Sequence, residues 1–482
     1  MGESYLYWQI HYQLIKQFMQ TNSIPVTAEL AKFISDLTWD KIPKHIQELM
    51  PVLLIDIFRS ASVGVEQSWT KTITQTFQSV QSNTSNSPIW FSNHMAEITK
   101  AAFINGTACG SLDWDDSHVA AIIHPGICIW PAALNVAYLQ KSTGEELLTA
   151  VVAGYETAIR IGMSIQPEHS LRGFQGTPTC GAFGAAAACA KLLKLPEEKI
   201  QNAIGIAATF ACGLSQFFVS GSDIKRFHAG KAAANGVEAA QLAQAGLTGP
   251  HDAIEGSQGF ARAFSDRFSA QTAVEGLGTY FPTESISLKP HASSVRMQAA
   301  IEAAAVLARQ GATIDQIESI VIGVHGAMVG KLTTNTPRDF QQAQLSTPFA
   351  VAMAIKLAPQ RPEPLSLAIS DYEDCFNQTD VHDLSKKTIC VVDAEVEKET
   401  TMESVPARVT CTLKNGQVLE HFIKFPKGCP ENPITLEEVA LRFKSIATPA
   451  FGTEALDKWL ESVLNLSRLA SIDSLFSLKL IK

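Results

Sequence analysis

Apolar positions recur at helical spacing over most of the first 285 residues. In "GEELLTAVVAGYETAIRIGMSI" (144–165) they fall at i, i+3, i+4 and i+7, one face of a 3.6-residue period. "TAELAKFISDL" (27–37) shows the same period and opens on Thr27, a residue type that caps helix N-termini. "IPKHIQELMPVLLIDIFRSASVG" (42–64) continues it, with a break expected at Pro51, which lacks an amide donor. Further helices are predicted in "CGAFGAAAACAKLLKL" (180–195), "PEEKIQNAIGIAATFACGLSQ" (196–216) and "AGKAAANGVEAAQLAQAGL" (229–247), the last ending near Gly246. Pro196 with Glu197 and Glu198 suits a first helical turn. Alanine density alone reflects helix propensity. The glycines (Gly181, Gly184, Gly205, Gly213, Gly230, Gly236) point instead to helices packed backbone to backbone.

The pattern changes after Ser285. "IESIVIGVHG" (317–326), "KKTICVVDAEVEKE" (386–399) and "ARVTCTLKNGQVLEHFIKF" (407–425) read as strands, with a two-residue hairpin turn expected at Asn415-Gly416. Helical patterns lie between them, in "VRMQAAIEAAAVLARQG" and "TPFAVAMAIKLA". "TLEEVALRFKSIA" (435–447) returns to helix. The fold class is therefore mainly α with a second α+β domain. Residues 1–285 form a helical domain, 286–428 a smaller α+β domain, and 429–482 return to the first.

Composition narrows the picture. Hydrophobic residues make up 46% and charged residues 18% of 482, a globular balance. Lys+Arg 38 against Asp+Glu 47 gives a net charge of -9, without a long basic run. A nucleic-acid surface is not expected, and any anion site must be a local cationic pocket. No uncharged apolar run of about eighteen residues is present, so no membrane span is expected. The N-terminal "MGESYLYWQIHYQLIKQF" lacks the order of a signal peptide, and Leu6 stands where a myristoylation motif needs Ser or Thr. Asn83-Thr-Ser matches a glycosylation sequon, read as chance without a secretory signal. The 9 cysteines are scattered without a C-x-x-C pair. Those in apolar segments, Cys189 and Cys212, are expected to be buried free thiols of a reducing compartment. A cytoplasmic location follows, with an organelle left open.

Four segments carry candidate chemistry. "SLDWDDSHVAAIIHPG" (111–126) puts Asp113, Asp115, Asp116, His118 and His124 into sixteen residues. These are metal ligands, solvated loop residues or an acid–base set. Calcium-loop spacing, H-E-x-x-H and cysteine partners are all missing, which weakens the metal reading. An aspartate beside a histidine fixes its tautomer and raises its basicity, which favours the acid–base one. "GSDIKRFHAGKAA" (221–233) supplies Lys225, Arg226, His228 and Lys231 at a helix start, either an exposed basic turn or a cradle for several carboxylates. A spacing of three places Lys225 and His228 on one face. "SISLKPHASSVR" (285–296) supplies Lys289, His291 and Arg296 at the domain junction, where pockets form. "GFQGTPTCGAFGAAAA" (173–188) is a glycine-rich loop entering a helix at Gly181. It lacks a phosphate-loop motif, and neither a G-x-S-x-G elbow nor a dinucleotide fingerprint occurs.

In their order and spacing these segments resemble the MmgE/PrpD family, which includes 2-methylcitrate dehydratase, cis-aconitate decarboxylase and iminodisuccinate epimerase. "GIAATFACGLSQF" (205–217) and "TPRDFQQAQLSTPFAVAMAI" (336–355) fit as well, so the resemblance covers nearly the whole chain. It implies a large helical domain built from both chain ends, an α+β lid, a homodimer, no cofactor or obligatory metal, and a small di- or tricarboxylic acid as substrate. Asp113, Ser117 and His124 fall on the family's Asp, Thr-like and His positions. Lys225 and His228 fall on its K-x-x-H segment, and Lys289 on its lid lysine. Gln175 stands where the family carries a histidine in G-[WF]-H-P-T. In the lid motif K-P-Y-P-C-C-R the final basic position is Val295, with His291 and Arg296 nearby. No lid tyrosine of the decarboxylases is matched.

The expected function is that of a lyase, with dehydration of a citrate- or alkylcitrate-like acid ranked first. Decarboxylation or epimerisation comes next, and a weakly catalytic carboxylate binder is the reading from a different class. His124 is the expected acid–base group, supported by Asp113. Lys225 and Lys289 are expected to clamp carboxylates, with Ser117, Gln175, Arg226, His228, His291 and Arg296 contributing to substrate binding.

Overall fold

The computed structural model describes residues 24–77 and 86–481. The N-terminal leader and acylation readings and the Asn83 sequon lie outside them. Helices Val26–Asp36, Lys44–Gly64, Ile98–Gly110, Gly126–Gln140, Gly144–Ile165, Gly176–Leu192, Glu197–Phe210 and Ile224–Gln244 build the helical part. Their core takes residues from Val26 through Leu288 and again from Ile434 through Leu478. The second core runs from Ala292 to Leu413 and reaches back to Leu112, Trp114 and Val119. The segment between Ser111 and Val119 packs into the second core while Cys109 and Ala121 on either side of it belong to the first, which places its carboxylates at their seam.

Close backbone approach explains several glycines. A Cβ on Gly154 would lie 2.7 Å from the Gly184 carbonyl, and one on Gly184 the same distance from that of Gly154. Helices Gly144–Ile165 and Gly176–Leu192 thus touch main chain to main chain. Gly213 differs: the helix predicted over 196–216 ends at Phe210, and Gly213 lies beyond that end at φ 136°.

Several boundaries depart from the sequence pattern. Thr27 is inside its helix rather than its cap, and its hydroxyl donates to Glu255 at 2.6 Å. Pro51 does not break helix Lys44–Gly64. Residues 52–62 are all buried, and burial on that scale outweighs one lost hydrogen bond. Pro196 precedes its helix instead of opening its first turn. The glycine-rich helix starts at Gly176, so Gly181 is internal. Cys212 is exposed because the preceding helix stops at Phe210; Cys189 is buried as expected, and all nine thiols are free.

The lid sheet orders its strands Thr388–Val392, Ile317–Val324, Ala407–Leu413 and Val418–Ile423, the first pair parallel and the others antiparallel. The tail of "KKTICVVDAEVEKE" forms helix Ala394–Glu399, capped by Asp393. The Asn415-Gly416 turn is present but spans four residues between strands, with Gly416 at φ 87°. Helix Leu436–Phe451 carries a Thr435/Glu438 capping box and packs on helix Lys44–Gly64. A short antiparallel pair, Ser117–His118 with Ile286–Ser287, ties the carboxylate loop to the crossover into the lid. No helix is long and apolar enough to cross a membrane among the described residues.

Candidate active site

The loop from Ser111 to Pro125 folds back on itself. His118 and Ile123 exchange backbone hydrogen bonds, which returns His124 to Ser117. Asp113 takes φ 53°, a left-handed conformation that Asp tolerates better than most residues. Beside it, the Ser117–Ser287 pairing brings Lys289 under the loop.

Asp113 is the centre of the cluster. Lys225 Nζ donates to Oδ2 at 2.5 Å, and Lys289 Nζ donates to Oδ1 and to the Asp113 carbonyl, both at 2.9 Å. Lys289 also lies 3.8 Å from Asp115 Oδ1. His124 completes the set. Its Nδ1 stands 3.0 Å from both Ser117 Oγ and the Asp116 carbonyl. Asp115 Oδ2 is 2.9 Å away, within ion-pair range but not hydrogen bonded. The Asp116 carbonyl can only accept and the Lys289 ammonium, 3.4 Å from the same nitrogen, can only donate; the closer carbonyl favours a proton on Nδ1, and Nε2 stands 3.7 Å from Asp113 Oδ1. The His124 side chain is 21% exposed and that of Lys225 15%, against 0% for Lys289 and 1% for Asp115. The site is therefore reached from the His124–Lys225 side.

Electrostatics set the protonation states. Burial pushes Asp113 upward, but Lys225, Lys289 and His124 overcome it and hold the carboxyl well below its ordinary value. Asp115 is likewise lowered, with Lys289 and His124 outweighing burial. Lys289 is raised, because Asp113 and Asp115 outweigh its burial. Asp116 differs: burial, aided by Asp115 and Asp56, raises it to about 8. It points inward, accepting from the Gly126 N–H at 3.0 Å and the Tyr155 hydroxyl at 2.7 Å.

The remaining candidates divide. His228 joins Gln175 through Nδ1 and Oε1, so the residue that stands in place of the family histidine touches His228. Burial, then Lys225, lowers His228 to about 4, leaving it neutral near pH 7. Arg226 is turned elsewhere, donating to the Ser111 carbonyl at 2.7 Å and stacking 3.7 Å over Trp69. His291 is fully buried and accepts the Leu367 N–H at 3.1 Å, and burial lowers it to about 3. Arg296 is half-buried at the start of the lid helix. Lys231 is exposed. His118 is buried and lowered by burial to about 4, with Nδ1 accepting the Ala121 N–H at 3.1 Å; its ring holds the turn that follows its strand. Sequence reasoning missed Thr177, whose hydroxyl accepts the His124 N–H at 3.1 Å, and the Tyr155 contact to Asp116.

Asp113, Asp115 and His124 place three potential metal-ligand atoms within 4.8 Å of one another. Both oxygens of Asp113 already face lysine ammonium groups, and Lys289 also faces Asp115. A divalent cation there would sit beside two fixed cations, so the donor set fits an ion-paired acid–base site better than a metal site.

A cis-aconitate decarboxylase-like protein oryM of Aspergillus oryzae is 27% identical over 95% of this chain and 98% of its own length. A cis-aconitate decarboxylase of Aspergillus terreus is 26% identical, covering 94% of this chain and 95% of itself. The cis-aconitate decarboxylase of Homo sapiens is 24% identical over 79% of each chain. The MmgE/PrpD N-terminal domain matches residues 28–273 and the C-terminal domain residues 291–468, so that between them they take in every residue of the ion cluster but Lys289, and the chain belongs to the MmgE/PrpD family.

Proposed function

We propose that the protein is a lyase that decarboxylates a small unsaturated tricarboxylic acid of the cis-aconitate type. The observation that carries this reading is the count of usable proton carriers. His124 is partly exposed and contacts Asp115 and Ser117, whereas His228 is neutral, His291 is locked in the lid, and Gln175 cannot move a proton. Dehydration needs a base for the carbon proton and an acid for the departing hydroxide. Decarboxylation needs one proton. The carbon–carboxylate bond breaks and its electron pair forms a new double bond. The electrons of the old double bond take up one proton at carbon, and carbon dioxide leaves.

Lys225 and Lys289 would hold the remaining carboxylates, exchanging part of their pairing with Asp113 for pairing with substrate. Asp113 keeps both ammonium groups charged and in place until then. His124, with both ring nitrogens protonated, delivers the proton from Nε2 and is left with the one on Nδ1, while Asp115 and the Asp116 carbonyl orient the ring. The names of the relatives support decarboxylation over the dehydration that the sequence pattern ranks first. The working form is proposed to be a homodimer in a reducing compartment, without metal or cofactor. Incubation with cis-aconitate, citrate, alkylcitrates and tartrates, scored by mass spectrometry, tests the reaction. Loss of carbon dioxide from cis-aconitate is the expected result. Loss of water from a citrate-like acid would replace it with dehydration, and tight binding with neither loss would make the protein a carboxylate binder.

A further inference from the structure

Two arginines outside the ion cluster grip the two backbone segments that present it. Arg59, on helix Lys44–Gly64, is fully buried and paired with Asp56 at 2.7 Å. Its Nη2 donates to the Trp114 carbonyl, between Asp113 and Asp115, and its guanidinium stacks 4.3 Å over the Trp114 ring. Arg442, on helix Leu436–Phe451, donates through Nη2 to the carbonyls of Lys289 and Pro290, both at 3.0 Å. Trp114 Nε1 closes the frame by donating to the Pro290 carbonyl at 3.4 Å. The two helices pack on each other, so one helix pair carries both grips.

We propose that Arg442 and Arg59 are positioning residues that set the spacing between Lys289 and the Asp113–Asp115 loop. A guanidinium buried only for stability is a poor choice, since an apolar side chain of similar volume costs less to desolvate. Arg442 carries that cost visibly: burial, then the charge of Arg59, lowers it to about 9. Both bonds leave from one nitrogen, Nη2, whose two N–H groups serve the two adjacent carbonyls while Nη1 has no hydrogen-bond partner among the described residues. Pinning the Lys289 carbonyl fixes where its chain starts, and the 2.9 Å contacts of its ammonium to Asp113 depend on that origin. Misplacement by about 1 Å at such a site costs on the order of a hundredfold in rate.

A double-mutant cycle with Lys289 tests this, and its turnover arm rests on the lyase reading above. Arg442→Met is expected to lower kcat/KM by about tenfold or more. In Arg442→Met/Lys289→Met the loss is expected to be no greater than in Lys289→Met alone, because both remove the same contact. Arg442→Lys, which keeps a charged N–H donor on a side chain of different reach and geometry, is expected to lie between wild type and Arg442→Met. Multiplicative losses would overturn the proposal. A second arm needs no substrate: hydrogen exchange followed by mass spectrometry. Arg442→Met is expected to speed exchange in residues 111–118 and 286–292, whereas Lys444→Met, a half-exposed residue of the same helix paired with Asp457, leaves both unchanged. Faster exchange confined to residues 436–451 would overturn the proposal. A wild-type protein inactive on every acid would refute the lyase reading and leave the exchange arm to decide this one.

Discussion

Lys289 reaches across the seam between the two cores and places its ammonium 2.9 Å from Asp113 Oδ1, with no exposure of its own side chain. The pair is the point at which the lid crossover and the helical domain share a charge. Breaking one partner of a buried pair costs about 3–5 kcal/mol, because the other charge is left uncompensated. Asp113 keeps Lys225 when Lys289 is lost, so Lys289→Met is expected to lose less than that. Asp113→Asn takes the carboxylate from both ammonium groups, leaving Lys289 with only the Asp115 carboxylate at 3.8 Å, and is expected to lose more. Thermal denaturation of the two variants at pH 7 checks the order.

His124→Gln is expected to lower kcat by about a hundredfold or more while the melting temperature stays close to that of wild type. The loss is that of a general acid; the stability is kept because the ring is partly exposed and the loop is held by other bonds. A variant with full turnover would remove His124 from the chemistry.

Chelation separates the two readings of the carboxylate loop. Prolonged treatment with EDTA, and back-titration with zinc, magnesium or manganese, are expected to leave turnover within about twofold of the untreated enzyme, since two lysines already neutralise the carboxylates. Loss on chelation with recovery on one metal would establish a metal site at Asp113, Asp115 and His124.

The helical core was legible because its signal is local. The 3.6-residue period of residues 144–165 and the capping pattern of Thr435 and Glu438 lie within one segment each. Lys225, Lys289, Asp113 and His124 could be grouped because the family motifs carry them. The frame around them could not. Arg59 meets the Trp114 carbonyl across 55 residues and Arg442 meets that of Lys289 across 153, and nothing in either sequence neighbourhood marks a carbonyl as the partner. His291 shows the converse. Two residues after Lys289 it looks like a second cation, yet its ring is committed to the Leu367 N–H in the lid. Pro51 was misleading because a single lost hydrogen bond is visible in sequence and the burial that outweighs it is not.

Asp116 predicts a pH dependence. Its folded-state value of about 8 lies above that of an unfolded aspartate, so the native state binds the extra proton between about pH 4 and pH 8. Stability from this group is complete below about pH 4 and declines as pH rises through 8, by at most about 1.4 kcal/mol per pH unit. Asp116→Asn removes that proton. The gap between wild type and variant is expected to change steadily from pH 5 to 8 in denaturant titrations, with the variant's stability falling less steeply. Parallel curves would show that Asp116 is ionised throughout.

Gln175→His restores the residue type that the family carries at this position, and its neighbour makes the outcome specific. Gln175 Oε1 is the partner of His228 Nδ1, and His228 is held neutral by burial and by Lys225. An imidazole at 175 adds a second proton carrier beside His228 and takes over the contact to it. Chemistry that needs both an acid and a base then gains more than chemistry that needs one proton. The expected result is new or increased loss of water from citrate-like acids, with loss of carbon dioxide from cis-aconitate changed by less than about tenfold. An equal rise in both reactions would show that the second histidine only improves binding. No change in either would show that Gln175 positions His228 and takes no part in setting the reaction.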